Sequence, residues 1–162
     1  MIITQTPLRI SLLGGNTDFP CFYSKYGGAV LTTAIDKYVY TIITDRLDSD
    51  IYVNWSIKEV AKNIGQIKHG LVREALKITG VQKGVEITFL ADIPSKTSGG
   101  SGLGSSSSVA VGALNALHNY TGNTATAEQL AKEAIEIEID RLKKPIGVQD
   151  QYIAAYGGLQ FF

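Results

Sequence analysis

The chain has 162 residues, 44% of them hydrophobic, enough for one domain with a sizeable core that needs no disulfide or metal. Fifteen basic and fifteen acidic residues cancel, so no global field draws it to nucleic acid or anionic lipid, and a single cysteine, Cys21, excludes an intrachain disulfide and a thiolate zinc cluster. Residues 1–13 lack the basic flank of a secretory signal and carry Arg9, and no apolar run approaches the roughly 20 residues that span a bilayer; a soluble cytoplasmic protein is expected.

The β-rich part comes first. Residues 28–33, 37–46 and 51–55 are rich in Val, Ile, Thr and Tyr and read as antiparallel strands, the third following the turn-forming Asp48-Ser49-Asp50. Apolar positions 64, 67, 71, 72, 75 and 76 recur at helical spacing, so residues 64–78 read as an amphipathic helix that Gly80 stops. Residues 85–91 alternate as a strand. Pro94 then opens a Gly/Ser-rich loop reaching Gly104, where a second helix begins with Val109, Ala110, Ala113, Leu114 and Leu117 on one face. Thr126 and Gln129 are spaced as a capping box for a third helix reaching about Leu142. Strands first and helices later predict an α+β fold, a mixed or antiparallel sheet packed on helices, as one domain over residues 1–162.

Two features carry chemistry. The run Gly99-Gly100-Ser101-Gly102-Leu103-Gly104 followed by four serines joins a strand to a helix, so backbone N–H groups converge at the helix start and form an anion site. A flexible surface connector is the competing reading; a Walker loop is excluded because no Gly-Lys-Ser/Thr follows. On the third helix, positions 130, 131, 134, 135, 138 and 142 form the apolar stripe, which places the carboxylate of Glu138 toward the core. Such a group needs a partner, either Mg²⁺ or a nearby Arg or Lys.

The segment Pro94 with Gly102-Leu103-Gly104-Ser105-Ser106-Ser107-Ser108 resembles the phosphate loop of GHMP kinases, PxxxGLGSSxA, with four additional residues before Gly102. Pro7-Leu8-Arg9-Ile10-Ser11-Leu12-Leu13-Gly14-Gly15-Asn16-Thr17-Asp18-Phe19 resembles the family's first motif, and Pro145-Ile146-Gly147-Val148-Gln149-Asp150-Gln151-Tyr152 its acidic catalytic region. The wording is most similar to the D-glycero-D-manno-heptose 7-phosphate kinase branch. That resemblance implies the ribosomal protein S5 domain 2-like fold and transfer of the ATP γ-phosphate, with Mg²⁺, to the anomeric hydroxyl of a sugar phosphate; galactose, fucose or a non-catalytic anion-binding module are the alternatives.

The resemblance also assigns roles. Asp150 is the base for the sugar hydroxyl, against a bare helix N-cap, and Arg9 stabilises transferred charge, against an ion pair at a strand end. Gly100, Gly102, Leu103, Gly104, Ser105, Ser106 and Ser107 hold the nucleotide, and Glu138 with Ser106, or Ser105 in its place, binds Mg²⁺. Gly15, Thr17, Asp18 and Gln149 bind the sugar, against a ligand-free Asx-turn at Asp18. Lys96, Lys143, Lys144, Arg73 and His69 are weaker candidates for the substrate phosphate. Family members are roughly twice as long and carry a third glycine-rich motif. The resemblance therefore implies a missing carboxyl-terminal half, and an uncovered apolar surface that favours association with it or with a second copy.

Overall fold

Strand alternation decides which face of the sheet is covered. The structure, a computed structural model, describes residues 1–93 and 102–162. Strands β1 (Ile2–Leu13), β2 (Leu31–Asp45), β3 (Ile51–Asn54), β4 (Lys58–Ala61), β5 (Val85–Ala91) and β6 (Leu159–Phe161) form one sheet in the order β1-β2-β5-β3-β4, with β6 on β2. Only β3 and β5 run parallel, so the sheet is mixed, as the α+β reading requires. β1 takes one edge of β2, while β5 pairs with its residues 39–45 and β6 with residues 31–33 along the other.

Cross-strand register puts Thr4, Thr6, Val39, Thr41, Ile43, Ile51, Val53, Val85 and Ile87 on one face, and all are buried. The opposite face leaves Ile3, Val60 and Leu90 exposed. Helix α3 (Ser105–Tyr120) crosses the covered face over β1 and β2, with α2 (Gly70–Thr79), α4 (Ala127–Ile135) and α5 (Gln149–Tyr156) beside it. Gly112 permits the close crossing: a Cβ there would lie 2.7 Å from Thr6 Oγ1 and 2.9 Å from Thr41 Oγ1. Thr4 Oγ1 donates to the Gly112 carbonyl at 2.9 Å, so the threonine face is bonded to the helix as well as packed on it. Ile43, Ile87, Val72, Leu76, Leu114, Leu117 and Ile137 fill the layer between. Truncating any one of these to alanine costs roughly 2–5 kcal/mol.

Several boundaries differ from the sequence reading. β1 was not foreseen because two of its three buried residues, Thr4 and Thr6, are threonines and Pro7 stands between them and Leu8; an edge strand tolerates that proline. The two segments 28–33 and 37–46 merge into β2. The helix over 64–78 divides into a 3₁₀ turn, Ile64–Gln66, and α2, whose N-cap His69 accepts from the Val72 N–H through Nδ1 at 3.4 Å. Ile64 and Ile67 are buried regardless, which gives the whole stretch helical spacing. Gly80 ends α2 at φ 74°, as predicted.

Thr126 caps α4 by accepting from the Gln129 N–H at 3.2 Å, but the Gln129 side chain turns to Glu133 instead of closing the box. The helix then widens into a π-helical segment, Glu136–Arg141, closed by Leu142 N–H to the Ile137 carbonyl. Helix α1 (Pro20–Tyr26) and strands β4 and β6 are too short to leave a periodic signal. Among the described residues no helix is long and apolar enough to cross a membrane.

Candidate active site

A register shift between Pro7 and Arg9 re-aims the Arg9 side chain from β1 toward the start of α3. Its backbone N–H donates to the Leu103 carbonyl at 3.0 Å and its Nη1 to the Gly102 carbonyl at 2.7 Å. Nε and Nη2 grip Asp150 in a fork, to Oδ1 at 2.7 Å and Oδ2 at 2.8 Å. Gly102 and Gly104 take left-handed φ of 72° and 74°, and an added Cβ at Gly104 would lie 3.3 Å from Asp150 Oδ2. The loop end, the guanidinium and the carboxylate thus meet at one point. The ion pair foreseen as the plain alternative for Arg9 is formed, and its partner is Asp150.

Asp150 is the second residue of α5, so the N-cap alternative does not hold; the N-cap is Val148, and its side chain makes no capping bond. That duty falls to Asp18, whose Oδ2 accepts from the Gln149 N–H at 3.0 Å. Burial pushes the Asp150 carboxyl above its ordinary range, Arg9 pulls it down, and the negative charges of Asp18 and Glu138 add to the rise. Three carboxylates therefore crowd a region with too little positive charge of its own. A carboxyl held above its ordinary range suits proton abstraction from an alcohol.

Glu138 is fully buried, as its place on the apolar stripe requires. Its Oε2 accepts from Ser107 Oγ at 2.6 Å and Gln151 Nε2 at 2.7 Å, and its Oε1 from Ser106 Oγ at 2.6 Å and Lys144 Nζ at 2.9 Å. Lys144 Nζ also donates to Ser106 Oγ at 2.5 Å. The lysine partner weighed from sequence is thus present. Mg²⁺ takes hard oxygen ligands, commonly one or two from protein with phosphate and water completing the shell. Glu138 Oε1 and Ser106 Oγ are such donors and already share one cation, so the donor set fits the metal. Among the described residues no cluster of three or more His, Cys, Asp or Glu could hold a metal.

The sugar-side residues have internal partners. Asp18 is buried, accepting from the Asn16 N–H at 3.1 Å and, at 3.4 Å, from Gln149 Nε2 through Oδ1. Thr17 Oγ1 bridges Gly14 and Ala29, bracing the turn against the approach to β2. Gly147 packs so tightly on Asp18 that any side chain would collide with its carboxylate. Among the described residues Gln149 Oε1 is buried without a partner, beside a cavity of about 370 Å³ lined by Asp18, Tyr23, Val30, Val148, Gln149 and Tyr152. Gly15 lies within 4.0 Å of Gln149 Nε2, as measured from an added Cβ, so it belongs to the same corner.

Gly100, Pro94 and Lys96 lie outside the described residues. Gln151 was missed in the sequence, although its place one residue beyond Asp150 turns it toward the second carboxylate. Lys144 was ranked low because a lone lysine usually belongs to a solvated face. Arg73 goes instead to the Ile67 carbonyl and Glu74, and His69 stacks on Phe89 at 5.7 Å between ring centroids.

Comparison with known proteins gives the same direction. The model of the GHMP kinases N terminal domain matches residues 54–158, more than half the chain. A D-glycero-alpha-D-manno-heptose 7-phosphate kinase of Campylobacter jejuni is 35% identical over 172 residues, covering 99% of this chain and 50% of that protein. An L-fucokinase/L-fucose-1-P guanylyltransferase of Bacteroides fragilis is 27% identical over 192 residues, covering 96% of this chain and 20% of its own length. The crystal structure of a D-glycero-D-manno-heptose 1-phosphate kinase from Bacteroides thetaiotaomicron superposes with a TM-score of 0.89 at 28% identity, covering 99% of this chain and 55% of that one. The chain spans about half the length, or less, of the curated relatives it matches. The chain belongs to the GHMP kinases.

Proposed function

We propose that this chain is the nucleotide- and sugar-binding part of an ATP-dependent sugar kinase that phosphorylates the anomeric hydroxyl of D-glycero-D-manno-heptose 7-phosphate. The observation that carries the reading is the fork from Arg9 to Asp150 with the Gly102 and Leu103 carbonyls on the same arginine, because it joins an acid/base group to the phosphate loop. Asp150 takes the proton of the attacking hydroxyl. Arg9 keeps that carboxylate ionised and aimed, and its guanidinium faces the charge that develops on the transferred group. The start of α3, entered through Gly104 at a left-handed φ, is a helix N-terminus of the kind that attracts phosphate oxygens.

Ser106 and Glu138 would hold Mg²⁺, which neutralises phosphate charge when bound. Gln149 Oε1 and the Asp18 carboxylate supply acceptors for sugar hydroxyls at the cavity mouth. Since the chain spans half of the heptose kinase relative, the active unit is proposed to include a further carboxyl-terminal segment. The test is phosphoryl transfer from Mg·ATP by the full-length protein to a panel of heptose 7-phosphate, heptose 1-phosphate, galactose and fucose. Preference for heptose 7-phosphate is expected. Equal indifference to all four, with ATP bound but never consumed, would leave only an anion-binding module.

A further inference from the structure

We infer that the Lys144 ammonium is a built-in competitor for the divalent cation, seated between Ser106 Oγ and Glu138 Oε1 until the metal displaces it. The inference rests on the reading of those two residues as metal ligands. Nζ lies 2.5 Å from the hydroxyl and 2.9 Å from the carboxylate oxygen, and the two oxygens are 2.6 Å apart. A metal held by the same pair at about 2.1 Å would occupy nearly the same point as the ammonium. Two cations cannot share it.

The surroundings are built for exchange. The other Glu138 oxygen is fixed by Ser107 and Gln151, so the carboxylate stays aimed when the lysine leaves. Glu138 is completely buried, and without any cation its charge would be uncompensated in a site closed to water. Lys144 compensates it in the metal-free protein. Its own side chain is 32% exposed, so the ammonium can withdraw into water without crossing the core. Its backbone is anchored: Lys143 adopts a left-handed φ of 55°, the Lys144 N–H donates to the Glu138 carbonyl at 2.9 Å, and Pro145 follows. The chain reverses there and returns the side chain to the carboxylate six residues earlier.

The consequence is an order of binding. A divalent ion arriving alone must expel a cation already satisfied by both oxygens. One arriving on a triphosphate brings further oxygens and negative charge that compensate for the loss, so metal and nucleotide enter together. If the ammonium is seated about nine-tenths of the time, the apparent Kd for free metal is raised about tenfold.

Mn²⁺ titration followed by electron paramagnetic resonance, without nucleotide, compares the protein with Lys144→Met and with Lys144→Met/Glu138→Gln. Lys144→Met is expected to bind Mn²⁺ about tenfold tighter, and the double variant to lose that gain. Equal affinity in the parent and Lys144→Met overturns the role of Lys144 while leaving the metal site standing. No Mn²⁺ binding in any form, even with a non-hydrolysable ATP analogue, overturns both. Acetic anhydride labelling of the unmutated protein, mapped by mass spectrometry, gives a second readout that does not depend on a variant folding. Lys144 should be protected alone and become reactive when Mn²⁺ and the analogue bind; unchanged reactivity while metal binds would overturn the inference.

Discussion

Glu74 on α2 and Asp150 on α5 are both largely buried acids gripped by arginine, yet the fold moves them in opposite directions. Burial alone would raise Glu74, but hydrogen bonds from Lys77, Arg73 and Arg141 outweigh it and hold the carboxyl below its usual range. At Asp150 burial outweighs the Arg9 fork, the charges of Asp18 and Glu138 add to the rise, and the carboxyl is raised. The difference lies in how far hydrogen-bonded cations offset burial: Lys77, Arg73 and Arg141 serve Glu74, while Arg9 serves Asp150. Glu74 sits among surplus cations and is finished as a structural group, whereas Asp150 shares its space with Asp18 and Glu138. Asp150, Asp18 and Glu138 thus concentrate negative charge beside the loop, and a divalent cation arriving with a nucleotide would offset part of it.

The largest effect that would break the comparison comes from Asp150→Asn. It should lower kcat/KM of the full-length protein by about 10²–10⁴-fold, while the melting temperature, followed by circular dichroism, stays close to that of the parent because the ionised carboxylate is not favoured by its site. Retained turnover would show that Asp150 is structural in the way Glu74 is.

Arg9→Met comes next. Loss of a charge-stabilising donor should cost about 10²-fold in kcat. With the arginine gone, the opposing pull on Asp150 disappears, its carboxyl rises further, and the acid limb of the pH–rate profile moves to higher pH. A limb that stays in place would mean that another group titrates.

Glu74→Gln sharpens the other side. Its cations are each about a third or more exposed, so screening limits the loss to about 1 kcal/mol, or roughly 2–4 °C in Tm. Glu74 is held below its ordinary 4.5, so its contribution is present above that pH and is lost as pH falls below it. Acid unfolding of the variant should therefore have a flatter slope below pH 4.5, with phosphoryl transfer unchanged.

The smallest effect concerns His69, which burial keeps neutral so that Nδ1 can cap α2. Its pKa lies below the ordinary 6.5, so this stability is complete above that value and fades as pH falls toward the folded pKa. His69→Asn keeps a cap without the titration and should flatten the stability curve below pH 6.5 in urea melts.

The readable parts of the chain are those whose cause is local. Gly80 had to stop a helix, Thr126 had to start one, and the stripe on the third helix put Glu138 inward because spacing and turn chemistry act over a few residues. β1 escaped notice because two of its buried residues, Thr4 and Thr6, are threonines, and the Gly112 they meet lies over a hundred positions away. The split at His69 escaped because buried isoleucines kept helical spacing on both sides of the cap.

By itself the sequence pointed to an arginine, a glycine-serine loop, two acids and a polar turn, each inside a short motif, but not to Gln151 or to the place of Lys144. Tertiary structure alone decided who meets whom. Arg9 reaches Asp150 across 141 positions, Asp18 caps α5, and Lys144 turns back onto Glu138. The physical reason is that charge pairing depends on distances of a few ångströms in space, while periodicity and turn signals record only neighbours along the chain.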